Sequence, residues 1–151
     1  MLYLLFLACG EAPQNEPVQE KISQKKELVT QLSARDNTIS CASLSSTQLQ
    51  EDLTEIVDTV ERPPWVPMRA AACLSDLYPE KSKDDFIRWI SAPNKKGLAF
   101  LIAGTLSKLP DSAAISIAKA GLEGPHARDI RVRLEKQNDI RFAPLLSTKP
   151  Q

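Results

Sequence analysis

The sequence has little of the material from which catalytic and metal sites are usually built. Its 151 residues include one histidine, three cysteines and five glycines, and aromatic side chains make up 5% of the chain. There is neither a CxxC pair nor a second histidine, so the common zinc-site patterns are excluded. The scarcity of glycine excludes a glycine-rich repeat. These absences weigh against an enzyme, and we expect no catalytic residue, cofactor or small-molecule substrate.

Long apolar runs and an excess of one charge are also missing. No run of 18 apolar residues occurs, so a transmembrane helix is not expected. Nineteen acidic and 19 basic side chains give a formal net charge of zero. This balance argues against a protein that binds nucleic acid through a positive field. With 42% hydrophobic and 25% charged residues, the chain has the composition and length of one globular domain with tails.

The N-terminus changes abruptly from apolar to polar at a cysteine. Residues Leu2–Ala8 are uncharged and almost wholly apolar, a length at the lower limit for the core of a secretory signal. Cys9 follows the small residue Ala8, and the polar stretch Glu11–Pro17 comes soon after it. This arrangement resembles the lipobox of bacterial lipoproteins. The resemblance implies that residues 1–8 are a signal that is removed, and that Cys9 carries two acyl chains as the new N-terminus.

The match to the lipobox has two departures. No lysine or arginine precedes Cys9, and Phe6 stands where the family prefers leucine. The alternative is that Leu2–Ala8 forms a buried strand or helical turn. Gly10 takes the place of the aspartate that resembles an inner-membrane retention mark. The resemblance therefore implies a protein that is anchored in the outer membrane of the cell envelope and faces the periplasm or the cell surface.

The segment after Cys9 is predicted to be a tether. Residues 11–20 include two prolines and few apolar side chains, a composition typical of disorder. The spacing of the apolar residues over Lys21–Leu32 also fits a weak helix. We therefore predict a lipidated, disordered segment over residues 9–38, a helical domain over residues 39–148 and a tail at residues 149–151.

Two cysteines remain if Cys9 carries lipid. Cys41 lies in a short polar stretch, and Cys73 lies among alanines in a predicted helix. An exported protein meets an oxidising compartment, where two thiols can form a disulfide. The alternative is that both are small buried side chains, because free cysteine is among the most buried residue types.

From residue 46 onward the apolar residues recur with the period of a helix. Prolines and capping residues divide this region into segments. The predicted helices are one that ends before Pro63, then 67–77, 83–90, 97–109, 112–122, 125–137 and a short last helix over 139–146. No segment alternates between apolar and polar residues long enough to predict a strand. The sequence therefore predicts an all-α fold.

The predicted helices form pairs that repeat. The second helices begin near Met68, Leu98 and Ala127, which are 30 and 29 residues apart. A helix–turn–helix unit with a fixed period is typical of a solenoid. The tract Pro67–Leu74, with an arginine two residues after the proline and small residues after that, resembles the second helix of a HEAT-type repeat. The resemblance implies a right-handed α-solenoid of about three helical hairpins that holds another protein. An irregular six-helix bundle is the alternative.

Two side chains near the first predicted turn are candidate contacts for a partner protein. Trp65 lies in a proline-rich turn, where an exposed tryptophan would be a natural contact. The alternative is that it packs over the hydrophobic seam. Arg69 could bind a carboxylate of a partner, although an internal bond to a neighbouring turn is the simpler expectation.

The sixth predicted helix is rich in basic residues. Arg128 and Arg131 are candidate contacts for an anionic partner, such as lipid headgroups or an acidic protein. The alternative is a solvated, salt-bridged face, in which Asp129 is spaced to pair with Arg133. His126, Cys73 and Asp129 could be arranged as a thiol triad, but no local pattern supports catalysis by these residues.

The favoured interpretation is a non-enzymatic lipoprotein with a helical-repeat domain. It would be tethered to the membrane through its lipid and would act as a protein–protein interaction module for an unknown envelope protein. A structural envelope lipoprotein without a specific ligand is the second interpretation, and an enzyme is the third.

Overall fold

The computed structural model describes residues 16–34 and 40–147, where all regular structure is helical. These two ranges contain eight α-helices and no β-strand, so the all-α prediction is confirmed. The helices are α1 Glu16–Ser33, α2 Leu49–Thr59, α3 Trp65–Leu77, α4 Lys83–Ile90, α5 Lys96–Thr105, α6 Asp111–Glu123, α7 Ala127–Gln137 and α8 Ala143–Ser147. Short 3₁₀ turns lie at Cys41–Ser43, Leu106–Lys108 and Ile140–Phe142.

Prolines mark several helix boundaries. Pro93 follows the end of α4, and Pro110 is the residue before α6. Proline cannot donate a backbone hydrogen bond, so a helix rarely continues through it. Pro67 lies in the first turn of α3, where the missing N–H would have no helical partner. The predicted helix over 97–109 tightens after Thr105 into a 3₁₀ turn, which is a common way for a helix to end.

The helices after α1 pack as consecutive pairs. Helix α2 contacts α3, α4 contacts α5, and α6 contacts α7. Contacts also join α3 to α5, α5 to α7 and α4 to α6. Lys96 at the start of α5 lies 2.8 Å from Asp129 near the start of α7. Lys108, just beyond α5, lies 3.7 Å from Asp76 at the end of α3. Helices α3, α5 and α7 therefore run in the same direction, side by side.

One continuous apolar core runs through the described residues, from α1 to the turn after α7. Small side chains at the helix contacts let neighbouring backbones approach closely. A β-carbon added at Gly121 of α6 would lie 2.7 Å from Ile90 of α4. The fully buried alanines, each at most 1% exposed, are Ala70, Ala71, Ala99, Ala103, Ala113, Ala114 and Ala118.

Helix α1 lies within the segment that the sequence predicted as a tether. It is longer than the weak helix considered over residues 21–32, and its Leu28 and Leu32 are each only 1% exposed. Arg69 of α3 donates hydrogen bonds to the carbonyl oxygens of Leu32 and Ala34. Residues 16–33 therefore belong to the helical domain, which begins before the predicted boundary at residue 39. The polar composition of this segment predicted a tether. Its Leu28 and Leu32 are nevertheless buried, because α1 packs against α3.

Candidate functional site

Cys41 and Cys73 form a disulfide. Their sulfur atoms are 2.05 Å apart and their Cα atoms 5.2 Å apart. Cys41 lies in a 3₁₀ turn and Cys73 lies on α3, so the bond fixes the connection between α1 and α2 to the third helix. The predicted pairing is present. Cys9, the predicted lipidation site, lies outside the described residues.

Trp65 and Arg69 both bind the end of α1. The indole Nε1 of Trp65 donates to the carbonyl oxygen of Ser33 at 3.4 Å, and 37% of its side chain is exposed. Arg69 donates to Leu32 at 2.9 Å. The last carbonyl groups of a helix have no partner within the helix, so donors from α3 satisfy them. Arg69 therefore makes the internal bond that the sequence analysis expected, and Trp65 retains a partly open face.

The two arginines predicted on the basic helix have different surroundings. Arg128 is exposed on α7. Arg131 is half-buried and donates to the carbonyl oxygen of Leu146 at 2.7 Å, which ties α8 to α7. The predicted pair of Asp129 with Arg133 is wrong, because Asp129 binds Lys96 of α5 instead. The hydrogen bond from Lys96 lowers the pKa of Asp129 below its usual value.

The histidine and cysteine considered for a triad serve structural roles. His126 Nε2 lies 3.0 Å from the carbonyl oxygen of Ala92, between the second and third helix pairs. Cys73 is bonded to Cys41 and has no thiol. Within residues 16–34 and 40–147, no group of three or more histidine, cysteine or acidic side chains could hold a metal ion. No helix in those same ranges is long and apolar enough to cross a membrane.

Arg88 and Trp89 form the first of three contacts between an arginine and an aromatic ring. The guanidinium carbon of Arg88 lies 5.3 Å from the centre of the Trp89 ring, within the range of a cation–π interaction. Arg88 binds both oxygens of Asp58, at 2.8 and 2.9 Å, and also binds Asp85. Trp89 is buried, and its Nε1 donates to Asp58 at 2.7 Å. This contact joins α2 to α4.

Asp58 is the centre of that group. Burial alone would raise its pKa, but hydrogen bonds from Arg88 and Trp89 outweigh burial and hold the pKa below its usual value. Lys95 approaches the same carboxylate at 3.5 Å and also donates to the carbonyl oxygen of Val57. Every polar group of the cluster therefore has an internal partner.

Arg141 and Phe142 form the second contact. The guanidinium carbon of Arg141 lies 5.6 Å from the ring centre of Phe142, which is fully buried. Arg141 binds Asp139 and Asp111, and it donates to the carbonyl oxygens of two residues that follow α5. The hydrogen bonds from Arg141 hold the pKa of Asp139 below its usual value. This contact joins the 3₁₀ turn at Ile140–Phe142 to Asp111 of α6.

Arg133 and Phe100 form the third contact, which differs from the other two. The guanidinium carbon of Arg133 lies 4.9 Å from the ring centre of Phe100, and 43% of Phe100 is exposed. The Nε atom of Arg133 is buried and has no hydrogen-bond partner. On the next turn of α7, the side-chain oxygen of Gln137 is also buried without a partner. Gly104 makes room for the guanidinium, since a β-carbon there would lie 2.7 Å from Nη2 of Arg133.

None of these clusters was predicted from the sequence, although two of them had a signal there. Asp58 and Arg88 are 30 residues apart, and so are Asp111 and Arg141, which matches the predicted helix-pair period. Phe100 and Arg133 had no such signal, because a single exposed aromatic side chain is ordinary on a protein surface.

A polar groove of about 640 Å³ lies between α1 and the connection to α2. Amide and hydroxyl side chains line most of it, together with Tyr78 and Glu27. The side-chain oxygen of Gln24 accepts a hydrogen bond from Thr47 at 3.2 Å across the groove. The groove is therefore held by the same connection that the disulfide fixes. Glu27 is the one charged side chain of the lining, which offers no arrangement of groups typical of catalysis.

Comparison with known proteins gives no relative from which a role could be transferred: no protein-family model, no curated protein and no solved structure matches the chain.

Proposed function

We propose that the protein is an exported, lipid-anchored envelope protein whose helical domain binds another protein. Cys9 would carry the lipid and hold the domain at the outer membrane, facing the periplasm or the cell surface. The domain would act without catalysis. A single acyl chain holds a protein only marginally, so the two or three chains of a lipoprotein would be needed for a stable anchor.

The observation that carries this proposal is the disulfide between Cys41 and Cys73. Disulfides persist in oxidising compartments and are rare in the cytosol of most organisms. A chain that uses two of its three cysteines in this way is suited to an exported location. Export is also what the lipobox-like sequence at Cys9 requires, so two independent features support the same compartment.

The proposal includes a short right-handed solenoid of three HEAT-like hairpins, α2–α3, α4–α5 and α6–α7. Its support is the regular spacing of the second helices, which begin at residues 65, 96 and 127. Side-chain contacts between successive pairs join residues about one period apart, such as Arg88 with Asp58 and His126 with Ala92. Solenoids of this kind offer extended surfaces on which other proteins bind.

Metabolic labelling with an alkyne analogue of palmitate tests the anchor. We expect the native protein to be labelled and the Cys9→Ser variant to be unlabelled. The matched control is Cys41→Ser, which also removes one cysteine but should retain the label. A Cys9→Ser variant that is still labelled would contradict lipidation at this residue. The mass of the mature N-terminus gives a second reading, because an unprocessed chain that begins with Met1 would contradict export through this signal.

Crosslinking of intact cells followed by purification of the protein tests the interaction module. We expect at least one envelope protein to be enriched relative to cells that carry the Cys9→Ser variant. If no protein is enriched under several growth conditions, the structural interpretation without a specific ligand replaces the interaction module. Mass spectrometry without reduction tests the compartment separately, since free thiols at Cys41 and Cys73 in mature protein would contradict an oxidising location.

A further inference from the structure

Three arginines lie on aromatic rings in this domain, and two of the three clusters are complete. Arg88 and Arg141 each bind two carboxylates, and the rings of Trp89 and Phe142 are buried. The cluster of Arg133 lacks both features. No carboxylate pairs with Arg133 within the described part of the chain, and Phe100 is 43% exposed.

The guanidinium of Arg133 can bind a further group through its two terminal nitrogens. Its Nε and the Gln137 oxygen one turn later are buried and have no partner among the described residues, so a ligand from outside cannot reach either atom. The two Nη nitrogens are not among the buried unpaired atoms, and no hydrogen bond joins them to another described residue. A carboxylate from another molecule can therefore bind Arg133 through Nη.

The charge of the surrounding surface fits an acidic ligand. Helix α5 carries one lysine, and α7 carries four basic and two acidic side chains, a net of three positive charges on the pair. Helices α2 and α4 carry six acidic and two basic side chains, a net of four negative charges. The whole chain has a formal net charge of zero. Positive charge is therefore concentrated on α5 and α7, and negative charge on α2 and α4. The partly exposed ring of Phe100 supplies apolar area beside Arg133.

We propose that Phe100 and Arg133 form a binding site for an acidic segment of another protein, in which a carboxylate lies next to an apolar side chain. The carboxylate binds the guanidinium of Arg133, and the apolar side chain packs on Phe100. The site then resembles the two complete clusters, with the carboxylate supplied from outside. This inference rests on the proposed role as an interaction module and names the surface that performs it.

An array of synthetic octapeptides tests the site with the full 151-residue chain. Each peptide has glutamate at its centre and varied neighbours, and a matched peptide carries glutamine instead. Where an apolar residue adjoins the glutamate, we expect binding about two- to fivefold stronger than to the glutamine peptide, the range for one exposed ion pair. Equal binding to the two sets, or no binding to either, would overturn the proposal.

Variants locate the binding to this surface. We expect Arg133→Gln and Phe100→Ala each to remove the preference for glutamate. Lys119→Gln, an equal loss of charge at an exposed position on α6, should retain it. Thermal unfolding establishes that each variant is folded, and Arg133→Lys serves as a second variant if Arg133→Gln is not. Loss of the preference in Lys119→Gln as well would show a general charge effect and would overturn the site.

The NMR signal of the Arg133 Nε–H group gives a direct reading. On titration of the best-binding peptide we expect this signal to shift with the same half-saturation as the array binding. An unmoved Arg133 signal beside shifts elsewhere would place the peptide on another surface and overturn the proposal. The outcome is separable from that of the proposed function. Crosslinked partners that Arg133→Gln and Phe100→Ala leave unchanged would retain an interaction module while removing this site.

Discussion

The α2–α4 surface and the α5–α7 surface contain the same pair of side chains in different states. On the first, Arg88 lies over the buried ring of Trp89 and binds Asp58 and Asp85. On the second, Arg133 lies over the partly exposed ring of Phe100 and has no carboxylate among the described residues. The first arrangement joins α2 to α4 around a buried ring. The second joins α5 to α7 around a ring that is partly exposed to solvent.

The difference shows when an arginine on an aromatic ring only stabilises the fold and when it can also bind a ligand. At Arg88, which is 52% exposed, two carboxylates already balance the charge and the ring is buried, so neither an unpaired charge nor an open ring is left for a ligand. Where the carboxylate is absent, the cation and the open ring remain available. The composition of the two surfaces follows the same division, with acidic residues concentrated on α2 and basic residues on α7.

The largest expected difference between the two clusters is in the stability that is lost when each ring is removed. Trp89→Ala should lower the free energy of unfolding by about 3–5 kcal/mol, because the side chain is 1% exposed and its removal leaves a cavity. Phe100→Ala should cost only about 1 kcal/mol, since little more than half of that ring is buried. Urea unfolding of both variants measures the two values. Equal costs would contradict the division into an interior and an open cluster.

The arginines should show a smaller contrast in the same direction. Arg88→Gln should lower the free energy of unfolding by about 1–2 kcal/mol, because it removes hydrogen bonds to a partly buried carboxylate. Arg133→Gln should lower it by about 0.5 kcal/mol, because it removes a contact with a partly exposed ring but no hydrogen bond or ion pair to a described residue. Chemical denaturation of the two variants in parallel checks this. A larger cost at Arg133 would show that the third cluster is structural as well.

Acid should weaken the Arg88 cluster and spare the Arg133 cluster, which contains no carboxylate among the described residues. The pKa of Asp58 is lower in the folded protein than its usual value of 3.8. Its contribution to stability is therefore fully present above that value and is lost as the pH falls through the lower folded pKa. Below about pH 4 we expect the melting temperature of the native protein to fall more steeply than that of Arg88→Gln, because this variant lacks the side chain that lowers the pKa most. Arg133→Gln should follow the native curve, and equal slopes for the native protein and Arg88→Gln would contradict the assignment.

The smallest expected effect concerns the space beneath Arg133. Gly104→Ala places a methyl group where Nη2 of Arg133 lies, so the flexible guanidinium must move. Alanine also favours the helix by about 0.5–1 kcal/mol, so we expect stability to be equal or slightly higher. The aromatic NMR signals of Phe100 should shift as the arginine moves away. Gly97→Ala is the matched control, since nothing lies within 4 Å of the added carbon, and it should leave those signals in place.

Much of the fold could be predicted, because helices depend on local pattern. The 3.6-residue period and the prolines placed α2 to α7 within a few residues, and the prediction that Cys41 pairs with Cys73 agrees with the structure. Helix α1 was only suggested, because its burial depends on a face of α3 that the local sequence does not show. The site proposed at Arg133 lies on the same helix as the predicted contacts Arg128 and Arg131, which stay predictions. Arg128 and Arg131 were chosen by composition, whereas Arg133 is distinguished by Phe100, which lies 33 positions earlier.

The sequence by itself determined where helices begin and end, since proline and apolar spacing act over a few residues. It also determined the number of charges of each sign and the cysteines available for a bond. The tertiary structure decided which distant charges pair, because Arg88 meets Asp58, and Arg141 meets Asp111, only when segments 30 residues apart are packed together. Asp129 was spaced for Arg133 and binds Lys96 of the neighbouring helix instead. Arg133 therefore lies on a partly exposed aromatic ring and has no carboxylate partner in the part of the chain that the structure describes.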